Sequence, residues 1–230
     1  VRERHIAKAV RCLAEENFTS EEERRAFIEM LSGGKKSKAG LSDPAALENE
    51  IRSNLLKAGG TAFVEEDEKS FLQINRIIDI IMEAGGIPCY PVLLDDAQGK
   101  FTEFESSWEK LHESLTGLGV GCIELIPGRN SNNILSDFVK FFDDRNFIVT
   151  FGTEHNTPEM IPLSIKARGG DPLSENLRQI NRRGVSVIAA HQYLHAQNHE
   201  GYIDQNGKPR IRDKKEFESL GQSVIELFLK

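Results

Sequence analysis

The chain has 230 residues, 39% of them hydrophobic, and 19 are Gly. That size and composition suit one large or two small globular domains and exclude global disorder. With 29 Lys and Arg against 36 Asp and Glu the formal charge is −7, which argues against a dedicated nucleic-acid binder but leaves room for a local basic anion site. Cys12, Cys89 and Cys122 are odd in number and widely spaced, without a CxxC. A disulfide framework is therefore not expected, and a reducing, cytoplasmic setting is. No run reaches the roughly 18 apolar residues that span a bilayer, and no charged-then-apolar leader is present, so no membrane association is expected. The opening at Val1 rather than Met reads as a fragment whose beginning is missing.

Residues 1–66 are predicted to be a charged helical segment or insertion. Ile6, Val10 and Leu13 fall at helical spacing, and Thr19 and Ser20 precede Glu22 and Glu23 at capping-box distance before Phe27, Met30 and Leu31. Gly33 to Gly40 is a flexible basic loop. It is not a phosphate loop, because Glu29 stands where the first Gly of that motif belongs. Asp43-Pro44 opens another helix in the N-cap and N1 pattern, closed by Gly59-Gly60.

Residues 67–230 are predicted to be a β/α domain. Phe71, Ile74, Ile78 and Ile81 mark a helix stopped by Gly85-Gly86, and Ile87–Leu94 reads as a strand. Trp108, Leu111, Leu115 and Leu118 mark a helix before a strand over 120–126. Leu135, Phe138 and Phe142 mark another before a strand over 147–151. Leu173, Leu177 and Ile180 mark a helix ended by Gly184, with a fourth strand expected over 185–190, and Phe217, Leu220, Val224 and Leu227 a final helix. The Lys208–Lys215 cluster reads as a solvated face. Helix–strand alternation with apolar strands indicates a mainly parallel sheet covered by helices.

Ligand sites in such folds lie at the carboxyl ends of the strands. Three consecutive strands are expected to deliver Glu124, then Glu154-His155-Asn156, then His191 to that end. Carboxylate plus imidazole is a ligand set for Zn, Mn or Fe. Glu124 interrupts an apolar strand, where an unpaired carboxylate is costly. It therefore calls for a metal, a substrate or a partner such as Arg129 or Arg168, unless it faces solvent on an edge strand. His195 and His199 follow His191 at i+4 and i+8, a weak metal signal. For His199 a plain polar face is expected.

The run Ala84-Gly85-Gly86-Ile87-Pro88, then Gly119-Val120-Gly121-Cys122-Ile123-Glu124, then Phe151-Gly152-Thr153-Glu154-His155 resembles the PHP (polymerase and histidinol phosphatase) superfamily of metal-dependent phosphoesterases. The resemblance covers roughly residues 70–195. It implies a distorted TIM-like barrel, or the C-terminal part of one, with divalent metal at its carboxyl rim. Glu124 would be the strand carboxylate, and Glu154 and His155 would stand near the family's Asp-x-His pair. Three departures stand out. Glu154 and His155 are adjacent, Cys89-Tyr90-Pro91 replaces the family's Ala-His-Pro, and the opening His-x-His strand is absent. The expected metal site is thus partial: Glu124, Glu154, His155 and His191.

The leading expectation is a metal-dependent hydrolase acting on a small phosphate ester through metal-activated water. Arg129 and Arg168, with Tyr90 and Asn156, are the candidates for holding substrate. A metal-dependent sugar isomerase or epimerase on a related barrel is an alternative, because the Gly121–Leu125 strand also resembles one of the xylose-isomerase type. A PHP-like binding module that has lost ligands is the other. If the barrel is incomplete, its open sheet edge would favour pairing with a second copy of the chain.

Overall fold

In a computed structural model the chain is described over residues 2–95, 99–153, 162–204 and 206–229. These residues divide into two compact units, one within Val1–Phe71 and the other within Leu72–His155 and Met160–Lys230.

The first unit is helical: α1 (Glu3–Asn17), α2 (Glu21–Leu31) and α3 (Pro44–Ile51), the last running on into a π-helical turn over Arg52–Leu56. Ser20 and Glu23 form the reciprocal capping box of α2, and Asp43 caps α3 ahead of Pro44. The core is small, built on Ala7, Ala14, Ile28, Leu47, Ile51 and Leu55. The innermost residues of α1 are the alanines, while Ile6 and Leu13 stay exposed. Small side chains let α1 approach α3 closely, and Arg11 Nε donates to Glu48 across that contact at 2.8 Å. In the basic loop the Glu29 carboxylate accepts from Lys36 Nζ and from the Ser37 backbone.

The second unit alternates α4 (Ile74–Glu83), β1 (Cys89–Val92), α5 (Trp108–Gly117), β2 (Cys122–Leu125), α6 (Asn132–Asp143) and β3 (Ile148–Phe151), then closes with α7 (Glu175–Ala196) and α8 (Lys214–Phe228). The sheet is parallel in the order β1-β2-β3, with Cys89 beside Cys122 and Glu124 beside Thr150. The protein is thus mixed α/β with a small parallel sheet. Three strands are seen among the described residues, so a closed barrel is not shown.

Alternation along the strands divides the core. Val92, Ile123, Leu125, Val149 and Phe151 belong to a large cluster with Leu111, Leu115, Leu135, Phe138 and Phe142 of α5 and α6. Cys122 and Ile148 point to the other face and meet Val187, Ala190, Tyr202 and Phe217.

The expected strand over 185–190 is instead the middle of α7. Gly184 does not end that helix. Its bare Cα lets α7 lie on β3, since a Cβ there would come within 2.1 Å of the Val149 carbonyl oxygen. Gly221 does the same where α8 crosses α7 at Ser186. Nor is the 208–215 cluster uniformly solvated. Lys214 is buried, and its Nζ donates to the Phe147 carbonyl at 2.8 Å, 3.6 Å from Asp143. Burial lowers its pKa, against the pull of Asp143 and Glu218.

Candidate functional site

The loops leaving β1, β2 and β3 meet at the carboxyl end of the sheet. The loop after β1 is shaped by Glu105, a fully buried carboxylate. It accepts from the backbone N–H of Leu93 (2.9 Å) and Leu94 (2.8 Å) and from the hydroxyls of Tyr90 (3.2 Å) and Thr102 (3.0 Å). Those bonds hold Leu94 at φ +57°, a left-handed conformation that a leucine seldom adopts. Tyr90, a candidate for substrate contact, is therefore engaged by Glu105. Burial and the adjacent carboxylate both push its phenol pKa up.

Asp95 follows Leu94 and is 1% exposed. Its Oδ2 accepts from Arg168 Nη2 at 3.0 Å and from the Ser131 backbone at 3.4 Å. Arg168 Nη2 also donates to the Asp95 carbonyl (2.8 Å), and its Nε to the Arg129 carbonyl (2.7 Å). After β2, Asn130 Nδ2 donates to the carbonyls of Leu93 (2.9 Å) and Asp95 (3.2 Å). Arg168 and Asn130 thus fasten the exit of β1 to that of β2. Arg168, expected to hold substrate, is in large part a clamp. Among the described residues, Asp95 Oδ1 and Asn130 Oδ1 are buried without a hydrogen-bond partner.

Two clefts open over this frame. One of about 460 Å³ is lined by Gly128, Arg129, Gly152, Thr153 and Lys166 among others, and one of about 730 Å³ by Leu94, Asp95, Lys100, Arg129 and Arg168. Arg129, expected to contact substrate, borders both. The cationic lining follows from three loops that each contribute a basic residue to one end of the sheet.

Glu124 lies on the central strand, yet it is exposed rather than buried among apolar groups. Its carboxylate lies across Gly152 at the exit of β3, where a Cβ would come within 2.6 Å of Oε1. Solvent removes the desolvation cost that pointed to an obligatory partner. Glu154, His155 and Asn156 lie outside the described residues.

His191 does not join Glu124. In α7, Asn181 accepts from the Phe151 backbone at the carboxyl end of β3, and Gly184 touches Val149. The helix therefore runs back along β3, and His191, ten residues beyond Asn181, lies about 15 Å further along the helix at 1.5 Å per residue. It reaches the amino end of the sheet, where Nε2 faces the Gly85 carbonyl (3.0 Å) and Nδ1 accepts from the Tyr202 backbone (2.9 Å). With both ring nitrogens engaged, His191 is not a metal ligand in this arrangement. Burial lowers its pKa, opposed by the Gly85 bond and aided by His195. His195 packs on Gly85, and His191, His195 and His199 line a separate cavity of about 740 Å³.

Among the described residues no group of three His, Cys, Asp or Glu side chains could hold a metal ion. Glu124 alone of the described candidates fits as a ligand. It is an exposed carboxylate at the carboxyl end, and it lies over a glycine two positions before Glu154 in the chain. Asp95, Glu105 and Asn130 carry no motif that marks them in the sequence. Asp95 and Asn130 follow apolar strands closely, whereas Glu105 stands in the long connection just ahead of α5 and carries no such local signal. No helix among the described residues is long and apolar enough to cross a membrane. Comparison with family models, curated proteins and solved structures finds no match.

Proposed function

We propose that the carboxyl-end clefts bind a small phosphorylated molecule and that the protein hydrolyses its phosphate ester with the help of a divalent metal, Zn, Mn or Fe. The observation that carries this is the convergence of Arg129, Lys166, Lys100 and Arg168 on clefts at the end of a parallel sheet where Glu124 is exposed. On this reading the three strands are one arc of a β/α barrel of the PHP type. Arg129 and Lys166 bind phosphoryl oxygens by charge-assisted hydrogen bonds. Asp95 and Asn130 hold the loops in place. Glu124, with Glu154 and His155 just after β3 in the sequence, would hold the metal. A bound divalent ion supplies Lewis acidity and lowers the pKa of a coordinated water.

The test measures phosphate release from p-nitrophenyl phosphate with Mn²⁺ or Zn²⁺, alongside calorimetric titration of each metal. The parent should turn over and bind metal, and Glu124→Gln should lose at least tenfold in metal affinity with the fold intact. Equal metal binding by Glu124→Gln, or no turnover with any of these metals, overturns the hydrolase. Tyr90 supports a second reading, a metal-free binding module, because it replaces a family ligand and is tied to Glu105. Phosphate binding without turnover, weakened by Arg129→Gln, would select that reading.

A further inference from the structure

Cys89 and Cys122 are register partners at the amino ends of neighbouring parallel strands. Register partners put their side chains on the same face of the sheet, with strands about 4.8 Å apart. That spacing lies inside the Cα window of a disulfide, 4.4–6.8 Å. The two differ in access: Cys89 is exposed on β1, whereas Cys122 is buried, 1% exposed, on β2. Their thiols interact, and that contact, then burial, pushes the Cys122 thiol pKa up. A reachable thiol beside a shielded one is the arrangement of an attacking and a resolving cysteine.

We propose that Cys89 and Cys122 are a redox pair that closes to a reversible intrachain disulfide by exchange with a low-molecular-weight disulfide such as oxidised glutathione. In the first step the Cys89 thiolate attacks one sulfur of the external disulfide. This forms a mixed disulfide on Cys89 and releases one glutathione thiol. In the second, Cys122 attacks the Cys89 sulfur and passes its proton to the departing glutathione sulfur, forming the Cys89–Cys122 bond and releasing the second glutathione thiol. The external disulfide is reduced by two electrons and the two cysteines are oxidised. Parallel strands hold the Cβ atoms near the strand spacing, somewhat wider than the roughly 3.8 Å of a relaxed disulfide. Closure must therefore pinch β1 toward β2, which makes the bond readily reducible. The consequence is a covalent staple between β1 and the central strand, at the end of the sheet opposite the candidate site.

The experiment treats the reduced 230-residue chain with oxidised glutathione, quenches in acid, alkylates the remaining thiols and measures intact mass and a peptide map. The expected result is loss of two of the three alkylatable thiols, a Cys89–Cys122 cross-linked peptide, Cys12 still alkylated, and recovery of all three with dithiothreitol. In Cys122→Ser the mixed disulfide should persist on Cys89, because nothing resolves it. In Cys12→Ser the cross-link should form as in the parent. Retention of all three thiols, stable glutathione on Cys89 of the parent, or a cross-link through Cys12 overturns the proposal. The parent's peptide map decides the question even if Cys122→Ser does not fold.

Discussion

His191 shows how a residue suited to catalysis is committed to structure. Its Nδ1 accepts from Tyr202 N–H, so the neutral ring carries its proton on Nε2 and donates it to Gly85 O. Protonation would place a second N–H against the Tyr202 donor. Because burial sets the folded pKa below the unfolded value of about 6.5, the unfolded chain takes up the proton first. The contribution is complete above the unfolded pKa and lost as pH falls toward the lowered folded value. Urea unfolding from pH 8 down to pH 5 should therefore show stability declining below about pH 6.5. His191→Gln, which can hydrogen-bond but does not titrate there, should flatten that decline. An unchanged slope in the variant would show that other groups carry it.

At the scale of elements, α7 is the part of the fold most easily misread. Val185 to Ala190 is apolar and follows a glycine, which resembles a buried strand. Leu177, Ile180, Gly184, Val187 and His191 nonetheless continue at three- and four-residue spacing, and they face inward on one helix. Gly184 sits where the helix touches the β3 backbone, and Gly221 where α8 touches α7. Alanine is favoured over glycine by about 1 kcal/mol in a helix interior. Here Gly184→Ala should instead destabilise by about 2 kcal/mol or more, since the obstacle is the backbone of β3 rather than a flexible side chain. Thermal unfolding of Gly184→Ala beside Gly117→Ala checks this. A Cβ at Gly117, in the last turn of α5, meets nothing within 4 Å. Equal shifts for both variants would mean that α7 does not press on β3 at Gly184.

For the whole molecule, stability should follow the size of each core. The unit within Val1–Phe71 rests on six buried apolar residues, whereas β2 is flanked by strands on both sides and packs into the largest cluster. Small cores are marginal, and amide exchange tracks local opening. Amides of Ile123 and Leu125 should be among the slowest to exchange, and those of α1 and α3 should exchange well before them. Protection of α1 equal to that of β2 would contradict this ordering.

Local spacing was enough to place the capping box of α2, the Asp43-Pro44 start of α3, the three parallel strands and most of the helices between them. Each is specified by neighbours within a few residues. Glu124, Arg129 and Arg168 could likewise be assigned to the carboxyl end, because strand exits follow from strand direction. What each side chain does there depends on residues distant in sequence. Arg168 meets Asp95 across 73 positions, Tyr90 meets Glu105, and Glu124 is exposed between its register partners Pro91 and Thr150, with its carboxylate over Gly152. His191 went to the wrong end of the sheet for one reason. A strand would have carried it to the carboxyl end, but a helix following β3 runs back to the amino end. Short-range periodicity therefore determined which elements form. Only tertiary packing, with Gly184 against Val149, decided that α7 lies back along β3 and carries His191 to the amino end.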